Sequence, residues 1–208
     1  MMKSSSTHER LTLFSGPIIV SLFTPLLQEG VQVEADVDRP LRSFLCDQLE
    51  LDPLYVDERI QTVFLDGKPV DRLEAATVQD GAVVALSASL PGLLGATLRK
   101  AGFYASLRRG ISYEESESEA GPPGRRGRVT LKVFNVLLKE IAPGLLRRGV
   151  TTRGDRVSAR LRMAGAVHME AIRAAELNGQ RFDPKGLPDR EWGADVLVTV
   201  CVLDPDRA

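Results

Sequence analysis

The stretch Leu65-Asp66-Gly67-Lys68-Pro69-Val70-Asp71 occurs a second time, 112 residues later, as Leu177-Asn178-Gly179-Gln180-Arg181-Phe182-Asp183. At the same offset, Gly81-Ala82-Val83-Val84 is matched by Gly193-Ala194-Asp195-Val196. Each copy places an Asx-Gly turn after an apolar segment and a second apolar strand shortly afterwards. A constant offset over two turns predicts a duplicated structural unit. The alternative is that the two halves share turn chemistry without common descent.

The segments around the first copy predict the order strand, strand, helix, strand, short strand, strand. Residues 11–23 are apolar and β-branched and predict a strand interrupted at Gly16-Pro17, and residues 31–36 alternate with period two. A helix is predicted to begin at Pro40, because apolar residues then follow at helical spacing. The remaining predicted pieces are a strand at 61–65, the hairpin turn, a return at 68–70 and a strand at 82–88.

The second half predicts a similar mixture of elements. Strands are predicted at 129–134 and 196–203, and helices at 136–146, 156–163 and 167–175, with a break at Pro143-Gly144. A helix is predicted at 96–109, and a Ser/Glu segment followed by Gly121-Pro122-Pro123-Gly124 predicts a connecting loop. The predicted fold class is α+β, with one unit at 11–95, a linker at 96–127 and a second α+β unit, a diverged internal duplicate, at 128–208.

Residues 31–88 resemble a β-grasp (ubiquitin-like) domain. Residues 33–49 and 62–70 are similar to the plant-type ferredoxin domain of molybdenum hydroxylases, on either side of that domain's cluster loop. The phrase beginning at Asp66, together with residues 80–86, is similar to sulfur carriers such as the small subunit of molybdopterin synthase. The resemblance implies a β-grasp fold for this part of the chain.

The chain departs from both branches where their chemistry lies. A [2Fe–2S] cluster needs four thiolates, but residues 52–58 contain no cysteine and Cys46 falls in the predicted helix. Sulfur carriers end in a free Gly-Gly tail, whereas more than a hundred residues follow Gly92 and Gly95 here. The resemblance therefore predicts a fold without a cofactor, and function varies widely on one fold.

Composition predicts a soluble globular protein with an uneven charge. Of the 208 residues 43% are hydrophobic, 26% charged and 5% aromatic, and the net charge is -1. Residues 1–98 carry 7 Lys/Arg and 14 Asp/Glu, and the remainder carries 20 and 14. The halves would then attract each other, or the basic half would meet a polyanion. Cys46 and Cys201 form no CxxC pair and the run 18–23 is too short to span a bilayer, which predicts a cytoplasmic protein without a membrane partner.

A glycine-rich turn beside two cations is the first candidate site. Gly92 and Gly95 lie between a predicted strand and a predicted helix, and Arg99 and Lys100 follow. Free N–H groups at such a position bind phosphate or carboxylate. These four residues predict a site for a small anionic ligand, and the alternative is a glycine turn that allows close helix packing.

Clustered arginines of the second half form the second candidate site. Arginine forks bind acidic protein surfaces as readily as phosphate, so a protein partner is favoured over nucleic acid. Phe103, Tyr104 and Tyr113 flank the linker and are expected to anchor it more often than to stack on a ligand. The predicted contact residues are Arg147, Arg148, Arg153, Arg156 and Arg160.

No catalytic or metal-binding residue is predicted. His168 and Glu170 form H-x-E, but the P-C-x-x-C that accompanies it in zinc deaminases is missing. The leading functional prediction is a non-enzymatic protein-binding or assembly module on a β-grasp scaffold. A small-anion-binding protein or enzyme with a site between the units is the alternative, and nucleic-acid binding through the arginines is the third; catalysis is left open, with a non-enzymatic role favoured.

Overall fold

The computed structural model describes residues 7–89, 92–104, 111–113 and 124–207. The predicted Ser/Glu segment at 114–123 lies outside these ranges. The chain forms two compact units, unit 1 of residues 1–31 with 139–208 and unit 2 of residues 32–138. These bounds differ from the predicted division at 11–95, 96–127 and 128–208, because the N-terminal 31 residues group with the C-terminal part of the chain.

The protein contains both helices and strands, consistent with the predicted α+β class. The strands are β1 (His8–Ser15), β2 (Val31–Asp36), β3 (Arg39–Pro40), β4 (Thr62–Leu65), β5 (Lys68–Pro69), β6 (Thr77–Val78), β7 (Val83–Ser87), β8 (Arg126–Val133), β9 (Val150–Arg153), β10 (Ile172–Leu177), β11 (Gln180–Phe182) and β12 (Leu197–Leu203). The helices are α1 (Ile18–Glu29), α2 (Leu41–Ser43, continued by a π-helical turn, Phe44–Gln48), α3 (Pro53–Glu58), α4 (Gly92–Leu98), α5 (Leu137–Arg148), α6 (Gly154–Arg162) and α7 (Ala166–Ala171). Short 3-10 turns follow at Pro184–Gly186 and Pro205–Arg207.

Unit 1 contains a mixed sheet in the order β11-β10-β1-β12-β9. Its central strands β1 and β12 are parallel, and the other pairs are antiparallel. Helix α1 packs against α6 and α7. Phe23 and Leu26 of α1 and Val157 and Leu161 of α6 are fully buried, so burial of these apolar faces stabilises the unit.

Unit 2 contains a mixed sheet in the order β2-β8-β7-β4-β5, and β3 pairs with β6 separately. Strands β7 and β8 are parallel, whereas β4 is antiparallel to both β7 and β5. Alternation places Val63, Leu65, Val84 and Leu86 in the core with Phe44. The intervening side chains lie half-exposed on the opposite face of the sheet; they are Phe64, Val83, Ala85, Thr130 and Lys132.

The predicted strand at 11–23 is wrong in its second half. Residues 8–15 form β1, but Ile18–Glu29 form a helix. Ile19, Leu22, Phe23 and Leu26 are buried at helical spacing. Burial of that stripe therefore outweighs the β-propensity of the Ile-Ile-Val run, since tertiary packing overrides local propensity.

Three helix predictions also need correction. Pro143-Gly144 does not break α5, because the buried face of Ile141, Ala142 and Leu145 continues through it. Residues 172–175 are strand, not helix, since they pair with β1. The helix predicted at 96–109 begins at residue 92 and ends at 98, and residues 105–109 of that prediction lie outside the described ranges. The predicted strands at 31–36, 61–65, 82–88, 129–134 and 196–203 and the helix at 156–163 are confirmed.

Candidate functional site

Gly92 and Gly95 of the predicted anion site lie in α4, and Arg99 and Lys100 follow the end of that helix. Gly92 begins the seven-residue helix α4 with φ +79°, and Gly95 is buried within it. The guanidinium of Arg99 donates a 3.3 Å hydrogen bond to Ser89 Oγ. Glycine at positive φ explains the first residue as a turn requirement. The positive φ of Gly92 favours the turn interpretation for that residue, and the anion site stays a prediction.

Lys100 is fixed to the body of unit 2 by its own side chain. Its Nζ donates a 2.9 Å hydrogen bond to the carbonyl oxygen of Val56, and its backbone N–H donates to Gln61 at 2.7 Å. Burial lowers the pKa of Lys100, and the nearby carboxylate of Asp57 partly opposes that shift. The ammonium is therefore engaged with α3.

An ion pair stands beside this lysine. Arg42 donates hydrogen bonds of 2.6 and 2.9 Å to the two carboxylate oxygens of Asp57, and a weaker contact of 3.6 Å joins Arg42 to Glu74. The hydrogen bond from Arg42 holds the pKa of Asp57 below its ordinary value. A bidentate guanidinium–carboxylate pair of this kind ties α2 to α3.

Replacing Asp57 by asparagine is expected to remove a pH-dependent contribution to stability. Because the folded-state pKa of Asp57 is depressed, its contribution is present above the unfolded pKa of about 3.9 and is lost as pH falls through the folded pKa. We expect the unfolding free energy of Asp57→Asn to be lower by at most about 1 kcal/mol at pH 7, since both side chains are partly exposed. Urea unfolding at pH 7, 5 and 2 measures this difference, which should shrink as the pH falls. Glu34→Gln, an exposed carboxylate outside the ion pair, is the control, and an Asp57→Asn deficit that does not shrink between pH 7 and pH 2 contradicts the assignment.

Three of the five predicted contact arginines are paired with acids of their own unit. Arg153 binds Asp155 at 2.6 Å. Arg160 and Arg156 both reach Glu29 at the end of α1, at 2.7 and 3.6 Å. These ion pairs offset part of the positive charge of α6, because Glu29 is shared by two arginines. The role of these arginines as partner contacts stays a prediction.

The other two predicted arginines lie at the end of α5. Arg148 is exposed. Arg147 lines a cavity of about 470 Å³ in unit 1, with Val20, Pro143 and Leu203 among its apolar walls and Asp204 as an opposing charge. One cation and one carboxylate in an apolar cleft suit a small amphipathic molecule.

A pair of exposed aromatic side chains in unit 2 was not predicted as a contact site. Phe103 is 91% exposed and meets Tyr104 edge-on, with 5.1 Å between the ring centroids. The segment before them is anchored, because the N–H of Ala101 donates to the carboxylate of Asp71 at 2.9 Å. The sequence favoured anchoring of these rings in the core, and that expectation is wrong for Phe103. The sequence feature that could have indicated this pair is two adjacent aromatic residues in a chain with only 5% aromatic residues.

Arg190 of unit 1, which lies over two aromatic rings, was not predicted as a site residue either. The guanidinium carbon of Arg190 lies 5.6 Å from the ring centre of Phe182 and 5.2 Å from that of Trp192. Trp192 is fixed by hydrogen bonds from its backbone N–H to Ser158 and from its indole N–H to Glu9, both 2.8 Å. Cation–π contacts on two rings restrict the arginine to one region of space. The aromatic and arginine residues near the second Asx-Gly turn were the available sequence signal.

The two repeated turns have the same geometry. Asp66 and Asn178 have φ values of +51° and +52°. Asp66 exchanges hydrogen bonds with Val83, its N–H donating at 2.8 Å and its Oδ1 accepting at 2.7 Å. Asn178 makes the same two bonds with Arg10, both at 2.8 Å. Asx residues tolerate positive φ and bond locally, so each turn locks its hairpin onto the next strand of its sheet.

Comparison of the chain with family models, with curated proteins and with solved structures gave no significant match. Within the ranges that the structure describes, no three His, Cys, Asp or Glu side chains lie close enough to hold a metal ion. The helices in those ranges are all too short or too polar to cross a membrane. Cys46 and Cys201 are free thiols, and burial raises the pKa of each.

Proposed function

We propose that this protein is a non-enzymatic protein-binding or assembly module with a β-grasp scaffold, acting in the cytoplasm. Support for the scaffold comes from the element order of unit 2. From β2 onward the chain follows the predicted series of strand, helix, strand, short strand, strand, as β2, α2, β4, β5 and β7. The remaining strand comes from the far end of the unit, where β8 pairs in parallel with β7. The two free thiols fit a reducing compartment.

We also propose that the chain is an internal duplication whose repeats have exchanged their first strands. Unit 1 follows the same series as β9, α6, β10, β11 and β12, and its remaining strand is β1. Both sheets therefore have a hairpin at one side, a central parallel pair and a strand that leads into a helix. The segment before that strand also matches, since α1 is followed by Gly30 with φ +110° and α5 is followed by Gly149 with φ +100°.

The observation that carries the binding role is the exposure of Phe103. Phe103 and Tyr104 form an exposed aromatic pair, and aromatic anchors dominate the binding energy of protein–protein contacts. Because Lys100 and Ala101 fix the preceding backbone through Val56, Gln61 and Asp71, little conformational entropy remains to be lost on binding. Phe103 with Tyr104 is therefore proposed as the contact on unit 2, in place of the arginines of α6.

Phe103→Ala is expected to weaken partner binding without destabilising the protein. A partner captured by crosslinking in the native host and identified by mass spectrometry should bind the variant about 30-fold more weakly, the loss of an aromatic anchor worth about 2 kcal/mol. The thermal midpoint should stay unchanged because the ring makes few contacts in the free protein. Calorimetric titration of the purified pair measures the affinity.

Met163→Ala is the matched control, since Met163 is 69% exposed but lies in unit 1. Equal affinities of both variants for the partner would contradict the proposed contact. If no protein partner is captured and binding to oligonucleotides weakens steeply as the salt concentration rises, the nucleic-acid alternative is favoured instead. A retained small molecule in native mass spectrometry would favour the ligand-binding alternative.

A further inference from the structure

Strand β11 is an edge of the unit 1 sheet, and part of its backbone faces away from the sheet. Gln180 lies opposite Leu177 across the two-residue turn, and Arg181 lies opposite Glu176. The pair that closes a two-residue hairpin is hydrogen-bonded, and the next pair is not. The N–H and C=O of Arg181 therefore point outward along the open edge, where an added strand can pair with them.

Unit 2 already uses the equivalent edge to bind a further backbone segment. Pro69 of β5 lies opposite Phe64, in the position that Arg181 occupies in β11. The carbonyl oxygen of Pro69 accepts a 2.9 Å hydrogen bond from the N–H of Tyr113. Among the described residues no backbone N–H outside the sheet bonds to Arg181. The same edge is thus occupied in unit 2 and open to a partner in unit 1.

Two arginines give the open edge its chemical preference. Arg190 is held over Phe182 and Trp192, and none of the ion pairs among the described residues involves it. Arg181 contacts Glu176 at 3.4 Å. Both arginines line a cavity of about 440 Å³ beside β11, with Gln180 and Phe182. The two cation–π contacts hold the guanidinium near these rings, and its N–H groups can donate to a carboxylate.

We propose that β11 is the docking edge for an extended acidic segment of a partner protein. The segment adds as a strand to Arg181 through main-chain hydrogen bonds, and a Glu or Asp side chain enters the cavity to bind Arg190. Main-chain pairing supplies affinity in this mode of recognition, and the side-chain site supplies specificity. This edge is a second surface in unit 1, and it does not depend on Phe103 in unit 2.

The test uses the full chain and a peptide of three Val-Glu repeats that carries fluorescein on its N-terminus and an amide at its C-terminus. Fluorescence anisotropy should give saturable binding that Arg190→Gln weakens by about 10-fold, the loss of one charge-assisted contact. Arg173→Gln is the matched control, because Arg173 is exposed on the neighbouring strand β10 and does not line the cavity. It should weaken binding less than about 2-fold, since only the distant field changes. Thermal unfolding of both variants verifies that they fold.

A second peptide separates strand addition from simple charge attraction. The same sequence with N-methyl groups on alternate residues keeps every carboxylate but cannot donate hydrogen bonds along one edge. Loss of binding by this peptide, together with a shift of the Arg181 amide resonance on addition of the first peptide, supports the proposal. Equal binding of the two peptides, or equal binding by Arg190→Gln and Arg173→Gln, overturns it. Neither result changes the expected outcome of the Phe103 experiment, so the two proposals can be contradicted independently of each other.

Discussion

A fragment of residues 1–95 is expected to remain unfolded, whereas a fragment of residues 32–138 is expected to fold. The fragment of residues 1–95 follows the predicted first domain, but it lacks β8, which belongs to the sheet of unit 2. Val83 to Leu86 of β7 then lose their parallel partners in β8. Val129, Leu131 and Val133, each fully buried, leave the core at the same time. Each such side chain contributes about 1.5–3 kcal/mol, and the sum approaches the whole stability of a small domain.

The N-terminal strand cannot replace the missing one in that fragment. Strand β1 pairs with β10 and β12 in unit 1, and both lie beyond residue 95. Far-ultraviolet circular dichroism and urea unfolding of the two fragments measure the outcome. A cooperative transition in residues 32–138 and none in 1–95 is expected. Cooperative unfolding of 1–95 would instead support the predicted domain at 11–95 and the pairing of β1 within it.

The repeated turns were predictable because their chemistry is local. An Asx-Gly pair between two apolar segments leaves few backbone conformations, since both central residues need positive φ. Asp66 and Gly67 have φ values of +51° and +79°, and Asn178 and Gly179 have +52° and +80°. The strands on either side follow from period-two alternation over four to eight residues, as in β2. Short-range pattern therefore defined most elements of both units.

Long-range pairing was not predictable from one sequence. Nothing in residues 8–15 indicates that their neighbours are β10 and β12, more than 150 residues away. The ion pairs of the α6 arginines could not be predicted for the same reason, because Glu29, which pairs with Arg160, is 131 residues distant in the sequence. Phe103 was misjudged for a related reason: burial depends on what the fold brings over a side chain, which composition does not contain. The candidate sites in the structure therefore differ more from those predicted than the helices and strands do.

Gly154→Ala is expected to destabilise the protein by about 3 kcal/mol, through overpacking at a site that cannot yield. Gly154 begins α6, and a Cβ atom there would overlap Cβ of Trp192 and lie 2.9 Å from the carbonyl oxygen of Gly193. Trp192 cannot retreat easily, because Ser158 and Glu9 bind its backbone and indole N–H groups. The backbone N–H of Gly154 also bonds to Val196 at 2.8 Å. Relief of the overlap therefore breaks one of these bonds.

Gly144→Ala in α5 is the matched control for this substitution. A Cβ atom at Gly144 meets nothing within 4 Å, and alanine in a helix interior is favoured over glycine by about 1 kcal/mol. Urea unfolding should therefore move in opposite directions for the two variants, and the thermal midpoint of Gly154→Ala should fall by roughly 10 °C for a chain of this size. Because the Trp192 ring contacts the Arg190 guanidinium, Gly154→Ala should also weaken binding of the acidic peptide. Equal stability of the two alanine variants would show that Trp192 is not held against the start of α6, and the preorganisation of Arg190 would then lose its physical basis.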